Sequence, residues 1–183
     1  MVWYYFMWLK LLTIAVLFYV LGLIQNSFFV HFNIFGTVPN FIFTLFFILI
    51  FFSFYEKNYG WEALIYSVIA GFFLDIFYYS YFGASFLLFL IISIVVKKIF
   101  NYLKQKKEKY PIAYFVLLFF VSLIIYEALL RAYFYFFIDA EPKIISWDLG
   151  WVFLIKIIYS LVFAIIGFFI YKKLFIGTRD HQK

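Results

Sequence analysis

Four ionisable side chains, Asp75, Glu127, Arg131 and Lys156, stand inside long apolar runs and define what chemistry the chain could perform. Ionisable groups at membrane depth are expensive and face a protein interior or a cavity, so each calls for a partner. Two carboxylates brought together could move a proton, but each is explained more simply by a basic neighbour. Glu127 and Arg131 are four residues apart, on one helix face and within pairing reach, which leaves Asp75 and Lys156 as the complement across helices. Gln25 and Asn26 fall at the same depth. Together these six residues are expected to form one outer-leaflet polar cluster joining the third, fifth and sixth helices. Its structural reading is interhelical pairing, and its functional reading is contact with a ligand or a partner. No catalytic residue is assigned, because the sequence has no Gly-rich phosphate loop, zinc-binding helix motif or serine elbow. It also has no cysteine, and its histidines are His31 and His181, so no metal site and no cofactor is expected.

The elements that must hold these groups follow from composition. Of 183 residues, 68% are hydrophobic and 13% charged, which excludes an ordinary water-soluble domain. Six apolar runs, at about 11–30, 39–55, 61–79, 82–96, 111–138 and 151–171, read as membrane spans of roughly 20 residues each. Little chain is left for anything else, so residues 1–183 are expected to form a single all-α, six-transmembrane-helix domain. Val2 to Leu9 reads as an aromatic interfacial lead-in, retained rather than cleaved as a signal. The fourth helix is expected to continue through Lys97 and Lys98, whose long stems reach the interface.

The net charge of +6 concerns topology here and not nucleic acid, for which no binding is expected. Numbering outward from an inside amino terminus, Lys10, Lys57, Lys97, Lys98, Lys104, Lys106, Lys107, Lys109, Lys172, Lys173, Arg179 and Lys183 fall inside, and Lys143 alone falls outside. That asymmetry places both termini in the cytoplasm. The Lys97 to Lys109 connector reads as a topology anchor attracted to anionic lipid, or else as a docking site for a cytoplasmic protein. The outer segment from Asp139 to Gly150 carries Trp147 beside Asp148, an interfacial anchor or a contact for a periplasmic domain.

Small residues predict how the helices meet. Ala63, Ser67, Gly71 and Asp75 recur every four residues in the third helix and form a stripe that another helix can approach closely. Lys156, Ser160, Ala164 and Gly167 share a face of the sixth helix, and Ala15, Tyr19, Gly22 and Asn26 a face of the first. The second and fourth helices are bulky throughout, which directs them toward lipid or a partner protein, with lipid the default.

Three stretches carry a family resemblance: Leu23-Ile24-Gln25-Asn26-Ser27, Gly36-Thr37-Val38-Pro39-Asn40-Phe41, and Gly71-Phe72-Phe73-Leu74-Asp75-Ile76 followed by Gly83-Ala84. Their order and spacing over residues 11–96 resemble MreD, the rod shape-determining membrane protein family of bacteria. Asn40 stands where that family usually has Asp, and Phe82-Gly83 replaces its usual Leu-Gly. Pro39 also suits the first turn of a helix, Asn40 can satisfy free amides there, and Gly83 reads as a turn residue.

The resemblance implies a noncatalytic scaffold and regulator of lateral wall synthesis in the bacterial inner (plasma) membrane. Its implied partners are a single-span coiled-coil protein like MreC and, indirectly, MreB, RodA and its transpeptidase partner. Ala63, Ser67, Gly71, Asp75, Pro39 and Asn40 would be the assembly or partner-binding positions. It further implies a fold similar to the substrate-binding S-components of energy-coupling-factor transporters, and such a transport subunit is the alternative function.

Overall fold

The computed structural model describes residues 2–33, 36–56, 60–78, 83–102, 111–137 and 147–173. Among these residues six α-helices follow one another: α1 Val2–Leu23, α2 Phe41–Glu56, α3 Gly60–Tyr78, α4 Ala84–Tyr102, α5 Pro111–Phe137 and α6 Trp147–Tyr171. A short π-helical turn, Ile24–Phe28, extends α1. α1 starts at Val2, so the aromatic lead-in is part of one continuous helix, and α4 runs on to Tyr102. Trp147 and Asp148 open α6, while 138–146, with Lys143, lie outside the described residues. So do Lys57, Lys104, Lys106, Lys107, Lys109, Arg179 and Lys183.

Among the described residues, four stretches are long and apolar enough to cross a membrane: Trp8–Phe28, Ala84–Tyr102, Pro111–Tyr133 and Gly150–Tyr171. The second and third expected spans are not among these four. The apolar stretch of α2, Phe41–Phe54, is shorter than a span. At 1.5 Å per residue the 16 residues of α2 extend about 24 Å, against a hydrocarbon thickness of about 30 Å.

α2 is the axis of the molecule and touches each of the other five helices. From Phe41 to Phe54 every side chain but that of Leu45 is buried. The expectation that the second helix faces lipid is therefore overturned, and the reason is physical. Lipid tails are as apolar as Leu and Phe, so lipid-facing and protein-facing surfaces have the same hydropathy. A helix that is apolar all round belongs equally well in a protein core. The same expectation fails by half for α4, which buries Leu88, Phe89, Ile92, Ser93 and Val96 along one face and leaves Leu87, Ile91 and Ile94 exposed on the other.

The core around α2 is aromatic. Phe43, Phe47 and Phe51, spaced by four, form a ladder on one face of α2, while Phe115 and Phe119 form a shorter one on α5. The two ladders interlock edge to face, with Phe47 against Phe119 at 5.3 Å and Phe51 against Phe115 at 5.0 Å, the geometry that the ring quadrupole favours. Phe46 stacks on Phe89 of α4 at 4.4 Å, and Phe52 stacks on Tyr171 of α6 at 4.2 Å.

α3 and α4 form the most extensive helix pair. Ala63, Ser67, Gly71 and Asp75 are all buried, and it is α4 that lies along their stripe. A Cβ on Gly71 would sit 2.3 Å from the Cα of Phe86, so the backbones meet there and only glycine fits. One turn away, the Ser67 hydroxyl bonds both the Ala63 carbonyl and the Ser93 hydroxyl of α4.

Candidate functional site

The polar residues gather at the end of the bundle where α2, α4 and α6 begin. A helix start leaves four backbone N–H groups without an intrahelical acceptor. For α2 that start is enclosed by protein, with Asn40 2% exposed and the nearby Gln25 and Ser160 at 1% and 0%, so water cannot satisfy them. Side chains from three elements accept three of the four instead. The Asn40 N–H donates to Ser160 Oγ of α6 at 3.1 Å. The Phe41 N–H donates to Gln25 Oε1 from the π-turn at 2.7 Å. The Phe43 N–H donates to Asn40 Oδ1 at 2.9 Å, the geometry of an asparagine N-cap. Pro39 therefore precedes the cap rather than opening the first turn, because Asn40 holds the capping position and the helix begins at Phe41.

α4 is started in the same borrowed manner. Asp75, on α3, accepts the Gly83 N–H at 2.7 Å and the Ser85 N–H at 3.0 Å. Gly83 has φ +100°, a left-handed conformation that glycine adopts without strain, and this turn aims its amide back at the carboxylate. A negative group at a helix N-terminus is further stabilised by the helix dipole. Asn26 Nδ2 donates to the Phe77 carbonyl at 3.2 Å, tying the end of α1 to the last turn of α3.

The expected pairing of the four charges is rearranged. Lys156 of α6 pairs with Glu127 of α5, not with Asp75, whose oxygens are turned to the α4 amides. Arg131, one turn beyond Glu127, places its guanidinium 5.2 Å from the centre of the Phe153 ring. Exposed Arg131 thus makes a cation–π contact in place of the expected bond to Glu127. Polar side chains of the six-residue cluster act pairwise: Gln25 and Asp75 as helix caps, Asn26 as a tie, Glu127 and Lys156 as an interhelical ion pair.

At the opposite end the polar groups face outward. Lys10 of α1 pairs with Glu62 of α3 at 2.9 Å, with its ammonium 5.9 Å from the Tyr66 ring centre. The Tyr66 hydroxyl donates to the other Glu62 oxygen at 3.2 Å. Sequence reasoning passed over Glu62, although an acid in the first turn of a helix is a readable signal. Lys97, Lys98, Lys172 and Lys173 are exposed at this same end. Among the described residues, no group of three or more His, Cys, Asp or Glu is placed to hold a metal ion.

The arrangement can hold helices in register and present apolar faces to surrounding helices or lipid. A family model for the rod shape-determining protein MreD matches residues 6–175, which include every capping and pairing residue described above. No curated protein and no solved structure matches the chain. An apolar helical bundle whose polar side chains cap one another's helices, matched by that model over nearly its whole length, belongs to the MreD family of rod shape-determining membrane proteins.

Proposed function

We propose that the chain is a noncatalytic, multi-pass scaffold and regulator of the bacterial elongation complex, supporting cell-shape control and lateral peptidoglycan synthesis. It binds an MreC-like single-span coiled-coil protein and, through the assembly, reaches MreB, RodA and its transpeptidase partner. Family membership carries this reading. The capping network supports it: Ala63, Ser67, Gly71, Asp75, Pro39 and Asn40 serve assembly by fixing the chain's own helices, and partner contact falls to the exposed apolar faces. The six helices form one transmembrane domain in the plasma membrane, with the lysine-bearing end and both termini in the cytoplasm.

An apolar cleft of about 460 Å³ runs between α1 and α6, with Leu45 and Ile48 of α2 on its floor and Leu17, Ile166 and Ile170 on its sides. In this reading it offers a single-span helix a place to lie. The alternative, a transport subunit with an S-component-like fold, calls for a pocket of convergent polar groups. Asp75, Gln25, Glu127 and Lys156 instead have acceptors or donors within the chain, which speaks against it.

The deciding experiment is gentle extraction through a carboxy-terminal tag, with mass spectrometry of what copurifies. Recovery of a single-span coiled-coil protein together with wall-synthesis enzymes is expected. Recovery of cytoplasmic ATPases with a coupling membrane subunit would overturn the scaffold reading. Because the chain has no cysteine, single Leu17→Cys, Ile166→Cys and Leu87→Cys variants then map the partner helix by crosslinking. Leu17 and Ile166 are expected to react with it, and Leu87, on the outer face of α4, to stay silent.

A further inference from the structure

A second cleft, of about 500 Å³, opens between α3 and α4 at the lysine end. Its floor is Ala63 and Ser93, both buried, and Phe54 of α2 closes it from behind. Ile94 forms its flank, 60% exposed, while Trp61, 81% exposed, and Lys97 stand at its rim. A mostly apolar slot with an indole and one cation at its mouth has the layered polarity of a phospholipid: acyl chain, glycerol level, phosphate. Indole rings favour that intermediate level of the bilayer, and a lysine stem reaches up to the headgroups.

We propose that this cleft is a binding site for one anionic phospholipid of the leaflet around the lysine end, with an acyl chain in the slot and the phosphate at Lys97. Charge complementarity selects the occupant. Lys97 has no ion-pair partner among the described residues, Ser93 is turned to Ser67, and neighbouring Lys98 adds to the positive field without lining the cleft. The hydrocarbon gains little by leaving one apolar environment for another, so the headgroup contact decides the preference. One lysine near the membrane surface enriches an anionic lipid about fivefold over a zwitterionic one.

The test uses the purified full-length chain and does not depend on any protein partner, so its failure is separable from failure of the scaffold reading. A variant retaining Trp61 as its sole tryptophan, with Trp3, Trp8, Trp147 and Trp151 each replaced by Phe, is reconstituted in phosphatidylcholine vesicles. A fixed mole fraction of lipid brominated on its acyl chains is included, either phosphatidylglycerol or phosphatidylcholine. Quenching of Trp61 is expected to report about fivefold enrichment of the brominated phosphatidylglycerol. The excess should vanish on Lys97→Gln and persist on Lys98→Gln. Equal quenching by the two headgroups, an excess that survives Lys97→Gln, or no quenching by either lipid would overturn the proposal, the last because the slot would then be closed to lipid.

Discussion

The two ends of this bundle use polar residues in opposite ways. Where α2 and α4 begin, Gln25, Asn40, Asp75 and Ser160 point inward and accept backbone N–H groups. Where α2 and α4 end, Lys10, Lys97, Lys98, Lys172 and Lys173 point outward. Polar groups of the first kind are required by the fold, since an enclosed amide without an acceptor costs about 1–3 kcal/mol. Those of the second kind are required only by the surroundings. Stability and lipid dependence should therefore divide between the ends, and substitutions that move one without the other sharpen the division.

The largest effect is expected from Asp75→Ala, which strips the acceptor from the Gly83 and Ser85 amides at the start of α4 and should cost about 3–5 kcal/mol. Denaturant titration of the purified protein, followed by circular dichroism, checks it; an effect under about 1 kcal/mol would dissolve the contrast. Next comes the α5–α6 ion pair. Lys156→Met alone leaves the nearly buried Glu127 carboxylate uncompensated and should cost about 3 kcal/mol, whereas Glu127→Leu combined with Lys156→Met should fall within about 1 kcal/mol of the parent. If the double variant is stable yet loses the copurifying partner, the pair serves binding as well as packing.

Gln25→Leu should cost about 1–3 kcal/mol by depriving the Phe41 amide of its acceptor, read in the same titration and, independently, as faster hydrogen exchange at the start of α2. The smallest effect belongs to the other end. Lys10→Gln breaks a pair whose side chains are 51% and 32% exposed, and a change of less than about 1 kcal/mol is expected. A larger loss there would show that the lysine end, too, is held from within.

Much of the architecture was legible in the residues. Six apolar runs became six helices, the glycine at 83 became the left-handed turn, and the four-residue stripe from Ala63 to Asp75 did mark a close helix approach. What covers that stripe was not legible, because small residues declare that a helix can come near and not which one. The position of α2 was hidden for a related reason, as hydropathy does not separate a core from a lipid-facing surface. Its all-round Phe and Ile content was the available signal. The capping partners were the least accessible. Asn40 and Ser160 are separated by 120 positions, and no local pattern announces that a serine on the last helix will accept an amide at the start of the second. The four membrane charges invited electrostatic pairing, yet Asp75 took backbone amides, because a carboxylate near two unsatisfied N–H groups can be neutralised by dipoles as well as by a cation.

The enclosure of α2 also fixes an order of events during synthesis. α2 emerges from the ribosome before every helix but α1 that will surround it, and it must first rest among lipids, which its apolar surface permits. α3, α4 and α5 then close around it, but the acceptor for the Asn40 amide arrives only with Ser160. A chain halted before α6 carries that amide unsatisfied and lacks the Lys156 partner of Glu127. Its last helix thus acts as a latch, bringing both the remaining acceptor and the remaining ion-pair partner.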